Sequence, residues 1–183
     1  MELKMHNDKD KFVNIAELNE LKTEILTLRK QLFSDDISKT KNRLWIYEQK
    51  LSDNETFNDF GFMVSIKIAN YEAIVKEYDS NVGNRLLKQV SDYMIGFMKE
   101  HHLKHEIVRY KDANFLIFFH GLNEEEVEDN MVNMQKSMSN YKFKYRSRMF
   151  MLTFSFAVMQ YIENESFASV LDQLDDKLFQ NQI

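Results

Sequence analysis

Three places along this 183-residue chain gather side chains with the chemistry to bind or react. His101, His102 and His105 read HHxxH, and one helical turn would bring His101 and His105 to a common face at metal-ligand spacing. They stand, however, at the C-terminal end of a helical pattern, where the helix dipole favours imidazolium and water is near, and no HExxH pattern accompanies them. No metal site is expected there. Tyr141 to Arg148, YKFKYRSR, alternates rings and cations, so period two puts Lys142, Lys144, Arg146 and Arg148 on one strand face and the rings on the other. Single-stranded nucleic acid needs rings and cations in one groove. Opposite faces suit rings packed inward and cations guarding an exposed edge. The third place is Arg109 to Phe115, RYKDANF, where Lys111, Asp112, Ala113 and Asn114 separate two apolar runs and Asp and Asn offer hairpin turn geometry.

Composition narrows what these residues can do. With no cysteine, the chain has no disulfide, thiolate nucleophile or cysteine zinc site, which suits a reducing compartment. A formal net charge of −5 and a pI near 5.6 oppose general affinity for phosphate backbones, so no nucleic-acid partner is expected. The polar start MELKMHNDKDKF offers no apolar signal core, and no run approaches the roughly 18 apolar residues of a membrane span. A soluble cytoplasmic protein without membrane insertion is the expectation.

The elements that must position these residues show in the apolar spacing. Leu18, Leu21, Ile25, Leu28 and Leu32 alternate steps of three and four, a heptad stripe on an otherwise polar helix apart from Leu26. The stripe suits either packing on the chain's own domain or pairing with a partner, including a second copy in a homodimer. Asp35 to Leu51 reads as a polar turn and an amphipathic helix, and Phe62 to Ala69 as a buried strand. Helices are expected over Tyr71 to Tyr78 and Val82 to about Lys99, with Gly83 as their junction. Ile107 to Tyr110 and Phe115 to Gly121 form a hairpin, and the acidic start of Asn123 to Met138 suits a helix N-terminus. A second hairpin from Tyr141 to Ile162 and a helix from Phe167 to Phe179 complete the order β, α, α, β, β, α, β, β, α. That order describes an α+β fold.

Set in that order, residues 34–183 resemble the GGDEF domain family, the diguanylate cyclases. Asp35, Asn42 and Arg43 in DDISKTKNR match the family's DxLTGLxNR; Ile68, Tyr71, Ile74, Gly83 and Leu87 keep the frame of its long first strand-helix motif. Arg109, Tyr110 and Phe115 frame the signature RYGGDEF, Thr153 and Ser155 resemble a later TxSxG strand, and LDDKLFQNQ resembles ADxALYxAK. The resemblance implies a cyclase palm-like central sheet, mixed and largely antiparallel, with flanking helices. Residues 1–33 then form an amphipathic helix preceding a degenerate domain of residues 34–183.

The resemblance also implies a GTP site with two magnesium ions, and this sequence lacks its parts. Magnesium takes hard oxygen ligands, yet the family's metal-binding Asp matches Lys67 and its signature Glu matches Asn114. An ammonium there repels a divalent cation at short range. The signature glycines are Lys111 and Asp112, with Ala113 after them, so side chains fill the phosphate approach. The guanine-gripping residues match Val75 and Asn84, the phosphate-holding lysine matches Gln182, and the product-inhibition motif RxxD falls on His102 to His105. Metal-neutralised charge drives phosphoryl transfer, so no cyclase reaction, no cofactor and no metal are expected. Family register brings Lys67 near Asp112, which offers two outcomes: an ion pair standing in for the metal, or Lys67 reaching solvent.

The function expected from this pattern is a non-catalytic regulatory or scaffolding module of bacterial signalling, working through protein partners of unknown identity. A module sensing a nucleotide or cyclic dinucleotide through a rearranged pocket, using Lys67, Lys111, Asn84 or Asn114, is the alternative.

Overall fold

In the computed structural model, residues 6–180 are described, and the chain divides into two compact units, Met1–Ser34 and Asp35–Ile183. The first unit is one helix, α1 (His6–Leu32). Thr23 and Thr27 fold their hydroxyls back onto the carbonyls of Asn19 and Thr23 at 2.8 and 2.9 Å, which satisfies them without an outside partner. Leu18, Leu21, Ile25, Leu28 and Leu32 are all exposed in the single chain, together with Ile15 and Leu26.

The second unit is built on a mixed sheet of order β1-β3-β4-β2-β7. Its strands are β1 (Lys41–Asn42), β2 (Gly61–Ile68), β3 (His105–Lys111), β4 (Asn114–Phe119) and β7 (Phe154–Tyr161); β5 (Phe143–Tyr145) and β6 (Arg148–Phe150) make a separate small hairpin. Only the β1–β3 pair is parallel. The helices are α2 (Arg43–Gln49), α3 (Tyr71–Glu77), α4 (Ser80–Glu100), α5 (Glu124–Asn140) and α6 (Phe167–Gln180). This is the expected α+β architecture, with helices on both faces of the sheet.

β2 lies between β4 and β7, and all its residues but Lys67 are buried, which is why its sequence is apolar apart from Ser65 and Lys67. Val64 and Ile66 face the cluster formed with Leu86, Leu87, Val90 and Met94 of α4 and Val127, Met131, Met134 and Met138 of α5. The other sheet face covers Met63 and Phe118 with Trp45 and Ile46 of α2 and Phe167, Val170 and Leu174 of α6. Alternation therefore sends Lys67 and its cross-strand partner Asn114 to the α2–α6 face.

Helix starts follow their caps. Asn42 accepts from Trp45 N at 3.2 Å, Asp79 from Val82 N at 2.9 Å, and Asn123 and Glu126 form a reciprocal capping box.

Several expectations need correction. Gly83 is not the junction between α3 and α4, which falls at Tyr78 and Asp79; it lies inside α4, where a Cβ would sit 2.5 Å from Val75 Cγ2. Its lack of a side chain lets the two helices touch. Within Asp35 to Leu51 no strand is expected, yet Lys41 and Asn42 add to the sheet beside Val108 and Arg109 before the expected helix, α2, begins. Tyr141 to Ile162 is not one hairpin: β5 and β6 pair with each other, and β7 pairs with β2. A turn at Arg146, whose φ is 54°, also breaks the period-two alternation. Arg148 lies opposite Tyr145 and stacks its guanidinium 4.8 Å over the Tyr78 ring, so it leaves the face that holds Lys144. Finally, α4 ends at Glu100 and His105 begins β3, so His101 and His105 share no helical turn.

Candidate functional site

At one end of the sheet, the C-terminal end of β2 meets the β3–β4 turn. The register sets Lys67 opposite Asn114, and Asn114 opposite Lys111, so two ammonium-bearing strands flank one amide. Asp112 and Ala113 form the tight turn between β3 and β4, and Asp112 takes a positive φ of 47°, which Asp tolerates better than most residues. A cleft of about 290 Å³ opens there, lined by Lys67, Tyr71, Glu72, Lys111, Asp112 and Asn114 together with Ile68, Ala69 and Ala113.

The cleft carries as many cations, Lys67 and Lys111, as carboxylates, Glu72 and Asp112, and among the described residues no three acidic or imidazole side chains gather to hold a metal. Lys67 and Lys111 are exposed in it, and Asn114, where the resemblance implies a carboxylate, offers only a buried amide oxygen without a hydrogen-bond partner. The residues present do not fit the pair of magnesium ions that the resemblance implies. Lys67 and Asp112 form no ion pair, so the stand-in pairing is not found. Lys67 instead acts at longer range on Asp175 of α6. Burial and then Asp172 push the Asp175 carboxyl up, against the opposing pull of Lys67 and Lys111.

The turn is braced from below by residues that resemble the family rather than depart from it. Arg109 donates from Nε to the Asp112 carbonyl at 2.9 Å and from a terminal nitrogen to Asp35 at 3.2 Å. Asp35 Oδ1 also accepts from Ser38 N at 2.7 Å and Ser38 Oγ at 2.8 Å. Burial raises the Asp35 carboxyl, but the Ser38 hydrogen bonds and the Arg109 charge outweigh it and hold the group below its ordinary value. Arg43 stacks over the rings of Tyr47 and Tyr110, and Phe115 is fully buried.

The other expected positions lie elsewhere. Val75 sits on α3 against Gly83, and Asn84 on α4; neither lines the cleft. Gln182 lies outside the described residues. His102 is exposed with φ 54° just past α4, while His105 bonds through Nδ1 to Leu103 O at 2.7 Å at the far end of β3. Sequence reasoning missed Asp175, Tyr71 and Glu72 as members of this neighbourhood. The acidic run Asp172, Asp175, Asp176 near the C-terminus was its only signal, since nothing local says that α6 passes over Lys67.

At the opposite end of the sheet a second charged group is buried. Lys50, 6% exposed, donates to Asp59 at 2.6 Å and lies 3.0 Å from His120 Nε2, between the rings of Phe118 and Tyr161.

Among solved structures, the chain is similar to the coiled coil and GGDEF domain of DgcB from Caulobacter crescentus, solved with c-di-GMP, at 16% identity and a TM-score of 0.74, covering 96% of this chain and 93% of that one. The FimX GGDEF domain from Pseudomonas aeruginosa gives 18% identity and 0.67, over 81% and 94%. Diguanylate cyclase SiaD from the same organism, solved with its activator SiaC, gives 12% identity and 0.71, over 97% and 70%. At these identities the likeness is one of fold. A search of curated proteins returned no significant match. Helices of the described residues include none long and apolar enough to cross a membrane. The model of the diguanylate cyclase GGDEF domain matches residues 33–182, nearly the whole sheet unit just described, and the chain belongs to that family.

Proposed function

We propose that this chain is a GGDEF domain without cyclase activity that serves bacterial cyclic-di-GMP signalling in the cytoplasm through protein contact. The observation that carries this reading is the placement of Lys67 and Lys111 in the cleft at the β3–β4 turn, beside Asn114. The cleft's two carboxylates, Glu72 and Asp112, are balanced by the two ammonium groups, so a triphosphate-bound metal meets no excess of anionic ligands there, and phosphoryl transfer depends on that neutralisation. The family-like residues that remain, Asp35, Arg43, Arg109 and Phe115, hold the turn and the core. SiaD, of the same fold, was solved with its activator SiaC, which supports protein contact as a working mode of such a domain. Purified chain incubated with GTP and magnesium or manganese is expected to give no cyclic dinucleotide; product above a no-protein control would end this reading.

The exposed stripe Leu18, Leu21, Ile25, Leu28 and Leu32 suits pairing with a second copy, as in a coiled coil. Light scattering should give a dimer for the full chain and a monomer for one starting at Phe33.

The cleft also favours a second reading, a sensor that binds a nucleotide or cyclic dinucleotide without metal. Lys67 and Lys111 supply two cations within one concavity, and Asn114 an unsatisfied amide oxygen. Calorimetry with GTP, ATP and cyclic di-GMP decides it, because absence of heat at high ligand concentration removes the sensor.

A further inference from the structure

The β5–β6 hairpin has two edges, and they are treated differently. On the β5 side Gln89 of α4 acts as a peptide mimic: its Nε2 donates to Lys144 O and its Oε1 accepts from Lys144 N, both at 3.0 Å. The Lys144 backbone therefore faces away from β6. Lys144 lies opposite Met149, and in an antiparallel ladder both members of such a pair turn their N–H and C=O outward. Met149 thus presents its donor and acceptor on the free side of β6, with no partner among the described residues. Its side chain is 63% exposed; two residues on, the Met151 carbonyl already accepts from Asn70 Nδ2 at 3.0 Å, so the open backbone is that of Met149.

Charge says what can approach this edge. No Asp or Glu occurs between Tyr141 and Ile162, although the whole chain carries a net charge of −5. Lys142, Lys144 and Arg146 are exposed, and none of them joins an ion pair among the described residues. Arg148 is occupied by its contact with Tyr78. A second copy would bring its own cations against these, and like charges on neighbouring strands repel. An acidic strand meets the opposite situation.

We propose that the free edge of β6 is a docking site for an extended acidic segment of a partner protein, which adds as a third strand through the Met149 backbone. Strand addition draws its affinity from main-chain hydrogen bonds and its specificity from alternate side chains. Lys144 and Met149 are a cross-strand pair on one face of the hairpin, so alternate residues of the added strand meet both there: the methylenes of a glutamate cover Met149 and its carboxylate reaches toward Lys144 and the turn at Arg146. This rests on the protein-contact reading above and adds to it a surface and a class of partner.

The test uses the isotope-labelled full chain and three probes: a peptide alternating Glu and Val, its Lys and Val counterpart, and vesicles containing phosphatidylserine. The acidic peptide should shift the Met149 amide resonance and slow its hydrogen exchange, while the lysine peptide leaves both unchanged. Met149→Pro removes the outward N–H without costing the hairpin one of its own bonds, and should weaken binding about tenfold or more. Lys144→Glu with Arg146→Glu should reverse the preference toward the lysine peptide, which keeps the test sharp if the proline variant misfolds. Equal binding by a folded Met149→Pro chain, no response at Met149 to the acidic peptide, or a response to vesicles alone overturns the proposal. GTP turnover is measured in the same sample and bears only on the protein-contact reading, so the two fail separately.

Discussion

Lys50 and Lys67 stand at opposite ends of the same sheet, and the fold treats them in opposite ways. Lys50 is almost wholly buried, and Asp59, His120 and two aromatic faces surround its ammonium. Lys67 stands next to the last residue of β2, in an open cleft, and its ammonium makes no hydrogen bond or ion pair among the described residues. A buried charge must be matched or the chain unfolds; an exposed one need not be. The difference teaches that the Lys50 end is under structural constraint, whereas the Lys67 end, where the family keeps its chemistry, is free to change without loss of the fold.

Removing one partner at the constrained end should break that comparison most visibly. Asp59→Ala leaves the Lys50 ammonium buried with only His120 beside it, and should cost about 2–4 kcal/mol. Asp59 is itself partly exposed, which keeps the figure below the upper range for buried pairs. Lys50→Met should cost less, about 1 kcal/mol, because the apolar chain still packs on Phe118 and Tyr161 and the Asp59 side chain, 42% exposed, keeps contact with water. Urea unfolding midpoints check both, and equal losses would mean that Lys50 is not held as a buried charge.

How much of this was legible before folding depends on the range of the signal. β2 and α4 were legible because their apolar residues recur at strand or helix period over many positions, and α5 because carboxylates gather in its first turn. β1 was not, since a two-residue strand carries no period and exists only because Lys41 and Asn42 meet β3. The face of Arg148 was misread because period two holds only within one strand, and the turn at Arg146 resets it. At the candidate site, Lys67, Lys111 and Asn114 were found by resemblance and do come together. Asp175 was not found, because its link to Lys67 spans more than half the chain and leaves no local trace.

An effect smaller than that of Asp59→Ala should come from Asp35, which ties residues 35–40 to the β3–β4 turn. Asp35→Ala removes the Ser38 and Arg109 contacts at a site both partners keep partly exposed, so about 1–2 kcal/mol is expected. Its folded carboxyl lies below its ordinary value, whereas the unfolded one titrates near about 3.9. Folding is therefore favoured by this group above the unfolded value, and the gain is lost as pH falls through the folded one. The stability gap between native chain and variant should be full at neutral pH and close only below about pH 4. A gap that persisted unchanged in stronger acid would show that Asp35 acts through packing rather than charge.

Lys67→Met should change stability least, by no more than about 0.5 kcal/mol, since the side chain is exposed and unpaired. Its electrostatic effect is the sharper readout. Lys67 is one of the influences that lower the Asp175 carboxyl, against burial and Asp172, which raise it. Without the ammonium, Asp175 should titrate higher in a carbon-detected NMR titration, while Lys111 keeps part of the opposing pull. A raised carboxyl pKa penalises the charged form in the folded state, so the slight loss of stability should appear as pH rises through the Asp175 transition and vanish below it. If Lys67→Met instead destabilised the chain as strongly as Asp59→Ala, Lys67 would be a structural cation in place of the family's metal. The two ends of the sheet would then be alike, and the residue change at the cleft would have been a constrained exchange rather than a free one.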